Sequence, residues 1–418
     1  MRFFGFHLMP YPYLPPEHLS GRDSSWVTLS NAHFDPERGH ELYQRYLREL
    51  VYYDEMGFDG ICVNEHHQTA YGLMPSPNVT AALLVPQTRS KIAILGNAIP
   101  LRDHPMRVAE EIAMLDVISG GRIICGFVRG IGAEYHNFSM DPTRSRGRFY
   151  EAHDLIVKAW TEPGPFEWYG EHYKLRNVNP WPRPLQRPHP PIWSPSQGSI
   201  ETVDWAARNR YTYVQTYSDI DTVRRAFTEF QEATQRHGYT YSPSQLGWSV
   251  PVYVADSDAE ARREAVVHLD FLFNALMRMP KDVFFPAGYL TLSSTTRVMA
   301  AKRGLGTSTM DPDHLLERGY ALAGSPATVR QRLEQYQREL GFGTFSGIFQ
   351  FGSLGHEQFL RSVTLFAEQV MPALRPLAQE AGSRTSTTAQ APPSWTSRQR
   401  SSAAGSSSGR STTSPSPP

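Results

Sequence analysis

Two cysteines in 418 residues are too few for a disulfide framework. Cys62 and Cys125 each fall inside a short apolar run that reads as a strand, so both are expected to be buried small hydrophobes in a reducing compartment. An excess of one charge is also missing, because 41 basic and 41 acidic residues cancel. That balance points neither to nucleic acid nor to a basic partner. No apolar run approaches the roughly 18 residues of a membrane-spanning helix. The amino terminus is apolar only as far as Met9, and Pro10, Pro12, Pro15 and Pro16 break it before a signal peptide's hydrophobic region is complete. Neither a Gly-x-Gly-x-x-Gly fingerprint nor a Walker loop occurs in a fitting strand–helix context. These absences leave a soluble cytoplasmic enzyme, with no nucleic-acid or membrane partner, as the expectation.

What the chain does have is a rhythm. Residues 57–130 alternate three short β-runs with two helical segments, which is how a parallel β/α enzyme is written. The pattern predicts strands over 3–9, 60–64, 91–97, 122–128, 192–193, 211–216, 246–254 and 344–351. Amphipathic helices are expected between them, including 41–56, 78–87, 105–119, 146–160 and 257–277. Residues 20–39 read as a long loop. Prolines and aromatics over 162–191 read as a small hairpin with an extended crossover, and 279–319 as a lid or a partly disordered insertion. From 379 onward the chain is mostly Ser, Thr, Pro, Ala, Gly and Arg, which cannot bury a core. The fold class is therefore α/β: a TIM-like (β/α)8 barrel over 1–378, with insertions near 162–191 and 279–319, followed by a disordered tail over 379–418.

Polar residues at strand ends are where such a barrel builds a site. Alternation along the second strand puts Cys62, Asn64 and His66 on one face, so His66 leans toward the mouth. A histidine there suits a general acid or base, and a polar capping layer is the plain alternative. Glu65-His66-His67 lacks zinc-motif spacing, and adjacent histidines on a strand diverge, so no metal site is expected. Arg129 ends an apolar strand and suits a phosphate or carboxylate, or else a salt bridge to Glu134. Gly198-Ser199-Ile200-Glu201-Thr202 opens a helix with hydroxyls and N–H groups that either take a phosphate or merely cap the helix. Together these ends suggest one pocket for a phosphate-bearing cofactor.

The ordered set Gly57-Phe58-Asp59, Glu65-His66-His67, Leu95-Gly96-Asn97-Ala98, His104-Pro105, Leu115-Asp116, Ser119-Gly120-Gly121-Arg122 and Gly126-Phe127-Val128-Arg129-Gly130 resembles the bacterial luciferase-like flavin monooxygenases. Ser199, Thr202, Gly324-Ser325-Pro326 and Val370-Met371-Pro372 follow in the family's order, so the likeness covers residues 1–376. The resemblance implies a TIM-like barrel holding FMN at the carboxyl ends of its strands. It implies His66 as the catalytic residue near the flavin's reactive edge, and Asn97 and Ala98 under the ring with a cis peptide bond between them. It implies Arg129, Ser199 and Thr202 around the phosphate, with Gly198 in the turn beside them. Val128 and Gly198 depart from luciferase, which has a cysteine and a glutamate there.

The implied reaction uses reduced FMN, supplied by a separate NAD(P)H-dependent flavin reductase, and O2 to oxygenate a small organic substrate through a flavin peroxide. A dry mouth would protect that chemistry, with Phe6, His7, Tyr11, Trp26, His33, Trp193 and Tyr217 as candidate walls. A homodimer through the helices at 78–87 and 105–119 is implied as well. The alternatives are a deazaflavin-dependent hydride-transfer enzyme on a related barrel, a non-catalytic flavin-binding relative, and a metal-dependent barrel hydrolase.

Overall fold

The structure is a computed structural model that describes residues 1–21, 23–301 and 310–377. Along the chain run β1 (Arg2–His7), β2 (Gly60–Val63), β3 (Lys91–Ala98), β4 (Ile123–Val128), β5 (Phe166–Tyr169), β6 (Lys174–Val178), β7 (Ile192–Ser196), β8 (Thr212–Thr216), β9 (Leu246–Val254), β10 (Leu322–Gly324) and β11 (Thr344–Gln350). Eight of them form a parallel ring in the order β9-β11-β1-β2-β3-β4-β7-β8, and β8 pairs back onto β9 to close a TIM-like barrel. The short β10 pairs in parallel beside the end of β9, and β5 and β6 form the antiparallel hairpin expected within 162–191.

Strands covered on both faces are apolar on both faces, and β1 shows how the two sides differ. Phe4 points inward, its ring 4.8 Å from Trp193. Phe3 points outward onto Phe345 and Phe366. Gly5 also faces outward, where a Cβ would lie 2.2 Å from the Tyr53 ring, so glycine alone lets the helix Pro36–Glu55 pack this closely. Cys62 and Cys125 are free and buried, and burial pushes the Cys62 thiol up to about 12. Among the described residues, no helix is long and apolar enough to cross a membrane.

Several elements differ from expectation. The first long helix begins at Pro36, because Asp35 accepts the N–H groups of Glu37 and Arg38 and Pro36 presets the first turn. The helix expected over 257–277 ends at Asp270 and continues as a π-helical stretch over Phe271–Leu276. The insertion at 279–319 contains the helices Lys281–Phe284, Leu292–Ala301 and Pro312–Glu317, and its residues 302–309 lie outside the described ones. The tail expected from 379 onward also lies outside the described residues.

A buried polar cluster sits at the end of β1. His7 and Glu49 are fully buried. His7 Nδ1 accepts the Met9 N–H at 2.9 Å, so Nε2 carries the proton and donates to Glu49 Oε2 at 2.8 Å. Arg45 Nε and His356 Nδ1 reach Glu49 Oε1 at 2.7 and 2.8 Å. This geometry holds His7 neutral, and burial pushes its pKa below the usual imidazole value. The unfolded chain therefore binds a proton that the folded one refuses. That contribution to stability is full above about pH 6.5 and is lost as pH falls toward the lowered value. Melting temperature is expected to fall below that pH less steeply in His7→Gln than in the wild type. His189 and His268, also lowered by burial, keep part of the slope. Identical slopes would assign the acid limb to other groups.

Candidate functional site

The carboxyl ends of β1, β2, β3, β4, β7 and β8 surround a cavity of ≈ 230 Å³, covered by Trp26, Met277, Met279, Phe284, Phe285, Tyr289 and Leu290. His66, Arg129, Ser199 and Thr202 all line it. Past the end of β2, Asn64, Glu65 and His66 all line the cavity, and Glu65 also bonds His67 at 2.7 Å and Arg102 at 2.8 Å.

His66 Nδ1 lies 3.1 Å from Oε1 of Glu134, which is 1% exposed. The other Glu134 oxygen accepts the Ile131 N–H at 2.8 Å. The chain turns back through Gly130, at φ 82°, and a Cβ there would lie 2.7 Å from Glu134 Oε2. Trp26 and Tyr71 hold the imidazole edge-on at 5.3 and 4.9 Å. With Nδ1 facing the carboxylate, Nε2 is the nitrogen without a protein partner among the described residues. Glu134 therefore orients His66 and does not neutralise Arg129.

Arg129 makes no ion pair among the described residues. Its Nη1 donates to Ser145 Oγ at 3.1 Å and to the Tyr289 carbonyl at 2.9 Å, and its guanidinium lies 4.1 Å from the centre of the Tyr289 ring. The hydroxyls of Ser199 and Thr202 are 2.6 Å apart. Ser199 precedes the nine-residue helix Ile200–Arg208 without its side chain capping that helix's N–H groups. A cation with spare donors, two hydroxyls and uncapped N–H groups suit the phosphate of a flavin nucleotide.

Other expected residues stand apart. Gly198, at φ 96°, does not line the cavity, and its N–H donates to Ser196 Oγ at 3.1 Å. Asn97 and Ala98 are buried behind Leu95 and Gly96, which do line it. The cis peptide bonds among the described residues all precede proline, so the bond expected between Asn97 and Ala98 is not one of them. Both residues keep parallel register with Phe127 and Val128. Of the candidate walls, Phe6, Trp26 and Tyr217 line the cavity. His7 is on the outward face of β1, Trp193 packs on Phe4, Tyr11 packs on Tyr13 and Phe34, and His33 is exposed.

Sequence reasoning missed Arg146, Tyr71, Tyr289 and the role of Glu134. Arg146 lines the cavity with its Nη2 3.5 Å from Glu201 Oε2. Burial alone would raise the Glu201 carboxyl, yet the hydroxyls of Thr291 and Ser294 hold it below its usual value. No local pattern marks Arg146, because an arginine at a helix start is ordinarily solvated. Among the described residues, no three His, Cys, Asp or Glu side chains converge to hold a metal ion.

The family model described as luciferase-like monooxygenase matches residues 24–342. The chain belongs to this family. It is 37% identical over 183 residues to an uncharacterized protein of Sinorhizobium fredii, spanning 42% of this chain and 52% of that one. It is 27% identical over 233 residues to the oxygenase component of a flavin-dependent trigonelline monooxygenase of Acinetobacter baylyi, spanning 54% and 64%. The luciferase-like chain thus spans between half and two thirds of the length of these curated relatives. Among solved structures it shares the fold of the oxygenating constituent of 3,6-diketocamphane monooxygenase from Pseudomonas putida in complex with FMN, at TM-score 0.64 and 21% identity over 89% of this chain and 98% of that one. An F420-dependent secondary alcohol dehydrogenase shares the fold too, at TM-score 0.63 and 15% identity over 90% and 99%. The same fold thus serves a monooxygenase solved with FMN and an F420-dependent dehydrogenase.

Proposed function

We propose that this luciferase-like chain is an FMN-dependent monooxygenase that oxygenates a small organic substrate with reduced FMN and O2. The observation that carries the reading is one cavity whose lining holds an arginine without an ion pair among the described residues, paired hydroxyls, and the His66–Glu134 pair beside an aromatic wall. Arg129, Arg146, Ser199 and Thr202 would hold the phosphate, with Gly198 shaping the turn and Asn97 and Ala98 supporting the wall behind Gly96. Bound reduced FMN would supply two electrons, so that one oxygen atom of O2 enters the substrate and the other leaves as water. His66 would hold or move a proton at Nε2, Glu134 would fix the ring's orientation, and Trp26, Phe127 and Phe284 would exclude water. A separate NAD(P)H-dependent reductase would supply the reduced flavin, which fits the relative described as an oxygenase component.

The fold shared with an F420-dependent enzyme supports a second reading, hydride transfer to or from a deazaflavin. Titration with FMN, reduced FMN and F420, followed by oxygen uptake, separates the two. The expected result is FMN binding and oxygen consumption that needs reduced FMN. Tight F420 binding without FMN binding would move the chain to hydride transfer.

A homodimer belongs to the same proposal. Val79 and Leu83 on the helix Pro77–Leu84, and Met114, Val117 and Ile118 on the helix Pro105–Ile118, are large apolar side chains left exposed, Ile118 at 63%. The two helices pack side by side, and a shared apolar patch of this kind suits a symmetric contact. Val79→Glu combined with Ile118→Glu is expected to convert a dimer to a monomer in light scattering. A monomeric wild type at micromolar concentration would remove the assignment.

A further inference from the structure

Tyr71 follows β2 and Tyr217 follows β8, and their hydroxyl oxygens meet at 2.5 Å in the cavity wall. Both side chains are buried. The pair carries two O–H protons, and its mutual hydrogen bond uses one of them. The other has no acceptor among the described residues. Burial raises both phenols above their ordinary pKa, so they stay protonated donors at neutral pH. A buried donor is costly to leave unmet, and a ligand that displaces solvent from this wall must offer an acceptor in its place.

The backbone holds the donor in position at some strain. Tyr217 has φ 45°, in the left-handed region that disfavours a bulky side chain. The turn is tied by Ser218, whose hydroxyl donates to the Thr216 carbonyl at 2.9 Å and accepts from Gln215 Nε2 at 2.7 Å. Strained backbone of this kind clusters where a site needs a group placed.

The surroundings are mainly apolar, and the ionisable groups near Tyr71 are His66 and the buried Glu134, whose oxygens are already engaged by His66 and the Ile131 N–H. Tyr71 lies against Trp26 at 5.1 Å, with 32° between the rings. Trp26 Nε1 donates to the Leu276 carbonyl at 2.9 Å, which brings the segment carrying Met277 and Met279 to the same wall. The contacts of Arg129 and Arg146 are with Ser145, Tyr289, Tyr150 and Glu201, and none is with this pair. Among the described residues, no lysine or arginine forms a hydrogen bond, ion pair or cation–ring contact with Trp26, Tyr71 or Tyr217. An ionised group beside the pair would be buried without a partner.

We propose that the Tyr71–Tyr217 pair is a specificity-determining hydrogen-bond donor, and that the substrate is an uncharged, mainly apolar molecule whose carbonyl-type oxygen accepts from it. The proposal rests on the monooxygenase reading of the cavity. Its test uses FMN-loaded protein and three bicyclic probes of similar shape: 1-tetralone, tetralin and tetralin-1-carboxylate. Calorimetric titration is expected to show the ketone binding roughly fivefold to a hundredfold tighter than the hydrocarbon, with the carboxylate weakest. Tyr71→Phe and Tyr217→Phe each leave one O–H that can turn to the ligand, so the deciding variant is the double one, Tyr71→Phe with Tyr217→Phe, in which the ketone's advantage should disappear while tetralin affinity holds. Retained tetralin binding shows that the cavity is intact in the double variant. A ketone preference that survives in the double variant, or no preference in the wild type, overturns the proposal. FMN titration keeps the two readings apart. Unchanged FMN affinity in the variants supports a substrate role, and its loss would place the pair at the cofactor and overturn that role. A wild type that binds no FMN would overturn the monooxygenase reading, while the ketone preference is read on the same protein without FMN.

Discussion

His66→Ala is expected to bind FMN nearly as the wild type does, yet to oxygenate substrate ~100- to 10,000-fold more slowly, the loss that follows removal of a positioned acid or base. The expectation rests on where the two ring nitrogens point. Nδ1 is committed to Glu134, and the buried carboxylate is itself held by the Ile131 N–H. Nε2 is then the nitrogen available to the cavity. None of the contacts made by His66 involves Arg129, Ser199 or Thr202, so phosphate binding should survive the substitution. The measurements are FMN affinity, oxygen uptake by the protein loaded with reduced FMN, and the fraction of that oxygen released as hydrogen peroxide. The variant should still consume oxygen but release most of it as peroxide. Glu134→Gln keeps the size and loses the charge, and should shift the same fraction less far in the same direction. Wild-type turnover and coupling in His66→Ala would reduce the residue to a polar cap on the barrel.

Arg129→Ala is expected to weaken FMN binding by roughly tenfold to a hundredfold, since a charge-assisted hydrogen bond contributes ~1.5–3 kcal/mol. The arginine has no carboxylate partner among the described residues, so a phosphate gains its full charge. Arg146 is less free, because Glu201 already answers it at 3.5 Å, and Arg146→Ala should lose less. Riboflavin supplies the control, because it carries the same ring without the phosphate. Fluorescence titration should show a large loss for FMN and almost none for riboflavin. Equal losses for both ligands would mean that Arg129 acts by holding Tyr289 over the mouth and not by binding phosphate.

Much of the barrel was legible because its signals are local. Strand-and-helix rhythm and the two-residue alternation depend on neighbours in sequence, so they place His66 at the mouth without reference to the rest of the chain. That Arg129, Ser199 and Thr202 line the cavity was legible for a similar reason, as charged or hydroxylic residues in the segments that follow apolar strands. The same reasoning misplaced Trp193, because alternation tells which face a side chain takes but not its height along the barrel axis. It misplaced His7, which takes the outward face of β1, and Tyr11 and His33, which lie outside the strands where alternation applies. It also began the first long helix too late, since the Asp35–Pro36 start was hidden within a polar stretch.

Other features came from closure. The Tyr71–Tyr217 contact joins residues 146 apart in sequence, and it exists because β8 pairs back onto β9 and brings the end of β8 into the same mouth as the loop after β2. The bond from Arg129 to Tyr289 spans 160 positions, and only the docked insertion supplies it. Glu134 lies five residues beyond Arg129, yet the turn at Gly130 sends its carboxylate to His66. The chain by itself determined which residues end the strands and which face they take, because those follow from backbone geometry one residue at a time. Which of those residues meet was decided only by tertiary structure, because a hydrogen bond needs two groups within about 3 Å, and only barrel closure brings such distant segments that close.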